Sequence, residues 1–219
     1  MELAILHAFE AIHTPILNYI MYGITLLGDK GIFWIIVALV MLFALPKRYR
    51  KIGFTMAVAL ILSIIVCNLI LKNAFQRQRP FWVDTTFENL FNYFDTIDDW
   101  SFPSGHTSAS FAGALAIRMW KKREGIIAII IAALISISRL YLCVHYPTDV
   151  LVSLILGSLC GVAAYFIAKK LIDVSPRMRA VFKGGQSYLV LVRGVDYGAL
   201  VATRTKKAAA EKRKYRQGQ

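Results

Sequence analysis

The sequence predicts an all-α fold, a polytopic membrane protein built as a bundle of six transmembrane helices. Three observations predict it. Hydrophobic residues make up 57% of the 219-residue chain and its mean hydropathy is +0.54, the range of membrane rather than soluble proteins. Apolar runs of helical length recur along the chain, separated by polar segments. Basic clusters at 47–51, 118–123 and beyond 169 follow every second run, the alternation that a cytoplasmic preference for Lys and Arg produces.

The elements follow in order. Residues 1–13 interleave apolar positions with Glu2, His7, Glu10 and His13, and read as a short amphipathic surface helix or an extension of the first span. Pro15 suits an early helical position, and the first span covers about 14–28. GDKG at 28–31 is a turn. The second span, 32–45, is short and is stopped by the basic run 46–51; the third, 53–71, ends on Lys72. A long polar loop, 73–102, carries Phe81, Trp82, Phe91, Tyr93, Phe94 and Trp100, which read either as an interfacial belt or as a mouth opening to the bilayer. Spans four, five and six cover 103–120, 125–142 and 147–168. Residues 1–170 thus form the helical domain and 171–219 a basic tail. In that tail the apolar run 186–194 is too short to cross a bilayer, and 203–219 reads as a charged end that touches anionic lipid.

The formal charge is +13, and from Lys169 onward there are 13 Lys/Arg against 3 Asp/Glu. A nucleic-acid partner would account for such an excess. Membrane orientation accounts for it together with the alternation, so no nucleic-acid partner is expected and both termini are placed in the cytoplasm. Cys67, Cys143 and Cys160 are odd in number and lie in apolar context, as buried thiols do, without metal-ligand spacing. The N-terminus lacks a basic region and a cleavage site, so insertion through uncleaved helices is expected.

This threading has a consequence. Lys72 and Arg79 after span three, His106 opening span four, Arg139 and His145 closing span five and Asp149 opening span six all fall on one side of the membrane, the outer one. Ionisable groups at such depth are expensive and are functional by default. Lys72, Arg79 and Arg139 bring three long cations to one level. PSGH at 103–106 adds the free N–H groups of a helix start, with Gly105 allowing close approach and the Ser104 hydroxyl able to donate. That set matches the non-bridging oxygens of a phosphoryl group, although cations at a headgroup level can also simply hold lipid phosphates. Arg77 fits the simpler role, pointing to lipid or solvent. Asp149, four residues after His145, can accept from one ring nitrogen, fix the tautomer and leave the other nitrogen free. His106 can exchange a proton with a leaving oxygen or a water. His7 and His13 have no such setting and start on the opposite side. The spacing alone does not decide which histidine attacks.

Lys72–(six residues)–Arg79-Pro80, Pro103-Ser104-Gly105-His106 and Ser138-Arg139–(five residues)–His145–(three residues)–Asp149 together resemble the three-part signature of the type 2 phosphatidic acid phosphatase (PAP2) superfamily, which is related to vanadium haloperoxidases and bacterial acid phosphatases. The resemblance covers the chain from about span two to span six and implies a PAP2-type bundle. It implies that His145 is the nucleophile that becomes phosphohistidine, that Asp149 orients it, and that His106 is the acid for the leaving group and then the base for water. Lys72, Arg79, Ser104, Gly105 and Arg139 would hold the phosphoryl oxygens, with no metal or other cofactor. It further implies a multi-pass protein of a bacterial cell membrane acting on a lipid phosphate or diphosphate. Undecaprenyl diphosphate ranks first, ahead of phosphatidylglycerol phosphate and phosphatidic acid. Two other classes compete. A vanadate-loaded haloperoxidase is permitted by the shared pocket. A transporter would need polar groups near the bilayer centre, where the sequence holds little beyond Ser63, Asn68, Ser136 and Ser153.

Overall fold

A computed structural model describes residues 1–183, and all regular structure among them is helical. Helix α1 is Glu2–Glu10 and α2 is Pro15–Leu27, capped by the Thr14 side chain. A 3-10 turn, Asp29–Gly31, leads into α3, Ile32–Leu39, which runs on as a π-helical turn, Val40–Ala44. Helix α4, Arg50–Ser63, passes through a π-helical segment, Ile64–Leu71, into α5, Lys72–Phe75. Short α6, Pro80–Val83, lies in the long loop. Then come α7, Gly105–Trp120, α8, Lys122–Tyr141, α9, Pro147–Val174, and α10, Pro176–Lys183.

Three stretches are long and apolar enough to cross a bilayer alone, Lys47–Val83, Lys122–Tyr141 and Pro147–Val174. The first two expected spans qualify only together, as one element bent by 41° between Pro15–Leu27 and Asp29–Ala44. The bend has a local cause, because Lys30 (φ 48°) and Gly31 (φ 68°) both take left-handed backbone there. Helix α7 has 16 residues, about 24 Å, short of the roughly 30 Å hydrocarbon core. Among the described residues, length and composition therefore single out at least three crossings, or four with the bent pair, of the six expected.

Helix α7 is the central strut, packed against α4, α8 and α9. Side-chain atoms added at Gly157 and Gly161 would fall 2.3 Å from the Ser108 carbonyl oxygen and 2.7 Å from that of Ala112. Glycine at those two points lets α9 touch the backbone of α7, as small residues do between membrane helices. That contact draws the helix opening near Asp149 alongside the helix opening at His106. Polar groups inside the bundle pair with one another: Trp34 Nε1 donates to Ser110 (2.9 Å), Ser63 to Ser108 (3.1 Å) and Trp120 Nε1 to Thr55 (2.9 Å). Leu151, Ile155, Leu159 and Phe166 project from α9 with more than half their surface open, a stripe suited to lipid.

The N-terminal region departs from expectation. Glu2 accepts from the Thr148 hydroxyl (2.6 Å), His7 Nε2 pairs with Asp84 (3.0 Å) and His13 Nε2 donates to the Tyr141 carbonyl (3.0 Å). Helix α1 thus lies at the end of the bundle that carries the polar islands, and His7 and His13 are not at the opposite end. The reason is the course of α2. Tyr141 donates to Asn18 (2.5 Å), Arg139 donates to Thr25 (2.5 Å), and an added Cβ at Gly28 would meet the His106 ring at 2.6 Å. From end to end, α2 stays beside the site rather than leading away from it.

The loop after α5 closes that end. Phe81 and Phe94 stack with centroids 4.1 Å apart, and Phe81 and Tyr93 are buried on Tyr141, Leu142 and Val144. Trp82 and Phe91 stay exposed. The aromatic residues therefore divide between a lid core and an outward set. Cys67, Cys143 and Cys160 are buried free thiols, and burial pushes Cys143 up to about 12. The first compact unit is Met1–Lys170, and α10 belongs to the second. The expectations for 186–194 and 203–219 lie outside the described residues.

Candidate active site

The helix ends bring the islands to one cavity. Its volume is about 510 Å³, and Lys72, Arg79, Gly105, His106, Arg139 and His145 all line it. Lys72 comes from the start of α5, Arg79 from the extended residue before α6, Arg139 from the last turn of α8 and His145 from the turn between α8 and α9. The apolar side of the cavity is formed by Leu26, Ile35, Leu60 and Ile64, so a charged floor adjoins a greasy wall.

The cations are buried: Lys72 is 8% exposed, Arg79 2% and Arg139 1%. Arg139 donates to Thr25 (2.5 Å) and to the Tyr93 hydroxyl (2.6 Å). Arg79 donates through Nε to the Asp99 carbonyl (2.7 Å) and through Nη1 to the Val144 carbonyl (2.8 Å). The Asp99 carboxylate bridges Lys72 and Arg79 from the loop. Burial would raise that carboxyl, but Arg79 and Lys72 outweigh it and hold it down at about 2. An incoming phosphoryl oxygen must share those two cations with Asp99 or displace it. Among the described residues, His106 Nε2 and Arg139 Nε are buried with no hydrogen-bond partner, and a phosphoryl oxygen can satisfy both.

His145 is 1% exposed. Burial, reinforced by Arg79, Arg139 and Lys72, holds its imidazole well below the usual range, so it is neutral at pH 7. Arg79 Nη1 stands 3.3 Å from its Nε2, marking that nitrogen as the one with the lone pair. On the other side, Nδ1 lies 3.6 Å from Asp149 Oδ2, longer than a hydrogen bond, with the Ser101 hydroxyl 2.5 Å from that oxygen and 3.5 Å from Nδ1. Asp149 is wholly buried and also accepts from the Tyr146 amide (3.0 Å).

Two expectations change. Ser104 does not line the cavity; its buried hydroxyl accepts from the Thr107 amide (3.4 Å) as the cap of α7, and its own amide donates to Ser153 (2.7 Å). Arg77 does not point to lipid or solvent. It donates to Asp149 (2.6 Å), Thr148 (2.7 Å) and Glu2 (2.5 Å). Sequence reasoning missed Ser101, Asp99, Tyr93 and Thr25 as partners. Only the acidic, aromatic character of 73–102 hinted at the loop residues.

The PAP2 superfamily profile matches residues 49–173, more than half the chain and all of the islands. The chain is 34% identical over 144 residues to an undecaprenyl-diphosphatase of Sulfolobus acidocaldarius, covering 65% of this chain and 66% of the relative. It is 32% identical over 188 residues to phosphatidylglycerophosphatase B of Bacillus subtilis, covering 80% and 85%. The crystal structure of Aquifex aeolicus LpxE superposes with a TM-score of 0.60 at 26% identity, covering 74% of this chain and 93% of that one. Apolar helices, the shared fold and the matched motifs agree: the chain is a membrane protein and belongs to the PAP2 superfamily.

Proposed function

We propose that the protein is a lipid phosphatase that works without a metal ion, through a phosphohistidine on His145, and that its substrate is undecaprenyl diphosphate. The observation that carries the reading is the single cavity in which two histidines and three buried cations meet beside an apolar wall.

In this mechanism Lys72, Arg79, Arg139 and the amides at Gly105 bind the terminal phosphoryl group and stabilise the charge that spreads over its oxygens. His145 Nε2 attacks phosphorus; the P–N bond forms as the bond to the bridging oxygen breaks. His106 donates its proton to that oxygen, releasing the lipid monophosphate. It then takes a proton from water, which attacks phosphorus and breaks the P–N bond, so inorganic phosphate leaves and His145 is restored. Asp149 orients His145 and balances the charge that its ring acquires on phosphorylation.

The preference for a diphosphate rests on the name of the Sulfolobus relative and on a cavity of about 510 Å³ that holds the cations and is also lined by Leu26, Ile35 and Ile64. The name of the Bacillus relative supports phosphatidylglycerol phosphate as the second candidate. An outward-facing site is supported by the basic clusters 47–51 and 118–123, which lie at the ends of helices remote from the cavity. The N-terminal helix then shares the site's side of the membrane.

The test is phosphate release by purified protein in detergent with EDTA present, from undecaprenyl diphosphate, phosphatidylglycerol phosphate and phosphatidic acid in parallel. Turnover of the diphosphate fastest is expected. Turnover that appears only with added Mg²⁺ refutes the metal-free mechanism, and a faster phosphomonoester refutes the substrate.

A further inference from the structure

We propose that Arg77 is a positioning residue for this reaction: its guanidinium holds the Asp149 carboxylate behind the His145 ring, and Glu2 of the N-terminal helix holds the guanidinium. The inference rests on the phosphohistidine reading and adds to it a residue outside the cavity and a role for α1.

Asp149 is 0% exposed, and a buried carboxylate without a counter-charge is strongly disfavoured. His145 does not provide that charge, because it is neutral and its Nδ1 stands 3.6 Å away. Arg77 provides it, with Nη1 2.6 Å from Oδ1. The other carboxylate oxygen is fixed by Ser101 and the Tyr146 amide at 2.5 and 3.0 Å. The guanidinium is itself clamped on three sides, by Glu2 at 2.5 Å, by the Thr148 hydroxyl at 2.7 Å and by the Tyr146 ring at 3.8 Å. Glu2 also accepts from Thr148 at 2.6 Å, so α1 is tied to both Arg77 and the opening of α9.

The consequence for chemistry is specific. A carboxylate held in place behind the ring favours the Nδ1–H tautomer of His145, which leaves Nε2 as the attacking atom. It then stabilises the positive ring of the phosphorylated intermediate. Arg77 does not line the cavity, so it acts through Asp149 on turnover and not on the grip on phosphate.

The test compares Arg77→Ala, Arg77→Lys, Glu2→Gln, Asp149→Asn and the Arg77→Ala/Asp149→Asn double variant in the full chain. Arg77→Ala should lower kcat about 10- to 100-fold, the scale for a partner that orients a reacting ligand, with KM within about twofold. Arg77→Lys should recover part of that loss, and Glu2→Gln should lose only a few-fold, on the scale of one partly exposed ion pair. The double variant should be no slower than Asp149→Asn alone. Wild-type turnover tests the function; the inference also has a readout that needs none. Selective ¹⁵N-histidine labelling should show His145 as the Nδ1–H tautomer in the wild type, a mixture in Arg77→Ala, and the wild-type form again in Arg77→Lys. Losses that multiply with Asp149→Asn, a raised KM at unchanged kcat, or an unchanged tautomer in Arg77→Ala would overturn it. Should Arg77→Ala fail to fold, Arg77→Lys and Glu2→Gln decide: wild-type kcat in both overturns the proposal.

Discussion

Arg77 and Arg79 stand two residues apart on an irregular, extended stretch, and they serve opposite sides of one imidazole. Both side chains reach toward the segment that carries His145, Arg79 to Nε2 and Arg77 to Asp149. Arg79 stops at Nε2, inside the cavity, bridged to Asp99. Arg77 passes behind the ring to Asp149 and out to Glu2. The same residue type thus takes two roles because of what each fork meets: one meets the space a phosphoryl group would fill, the other a buried carboxylate. Under the proposed mechanism the attacking atom is thereby set from both sides, by a donor at Nε2 and by a braced carboxylate beyond Nδ1.

That division can be broken or sharpened by substitution. The largest losses belong to the imidazoles: His145→Ala and His106→Ala should each reduce turnover by roughly 10²-fold or more, measured as phosphate release. Arg79→Ala should come next, at about 10²-fold in kcat/KM with part of the loss in KM, since it removes a donor to the transferred group. A KM effect of equal size in Arg77→Ala would erase the distinction between the two arginines. Asp99→Asn should act in the other direction. With its carboxylate removed, Lys72 and Arg79 are freed for substrate, and KM should fall about threefold, the scale of a half-exposed ion pair. The smallest effect concerns pH. The Asp99 carboxyl is held down at about 2, below its ordinary value of 3.8, so the stability it contributes is complete above pH 4. That contribution fades as pH falls toward 2. Thermal unfolding of wild type and Asp99→Asn should differ at pH 5 and converge near pH 2.

Much of the site was legible in the chain, and the boundary of what was legible is physical. Lys72, Arg79, His106, Arg139 and His145 sit at the ends of apolar runs, and helix ends can be read from hydropathy, so their convergence on one cavity followed. The braces could not be read that way. Ser101, Asp99 and Tyr93 come from an irregular loop, where no periodicity tells which way a side chain points. Glu2 is 75 residues from Arg77, and nothing local links them. Ser104 was read as a donor to phosphate; its position before α7 equally suits a cap, and its hydroxyl accepts from the Thr107 amide there. Length and composition single out three or four of the six expected crossings among the described residues, for a related reason. GDKG announced a turn, yet composition does not distinguish a turn between two spans from the 41° break inside one. Nor does it reveal that α2 runs beside Arg139 and His106 instead of away from them.

The central claim is that His145 alone carries the transferred phosphoryl group. Undecaprenyl diphosphate labelled in its terminal phosphate, mixed with the His106→Ala protein and quenched under alkaline conditions, tests it most directly. The account predicts an acid-labile, base-stable phosphate on the protein that persists in His106→Ala and is absent in His145→Ala. Label retained in His145→Ala and lost in His106→Ala would contradict it.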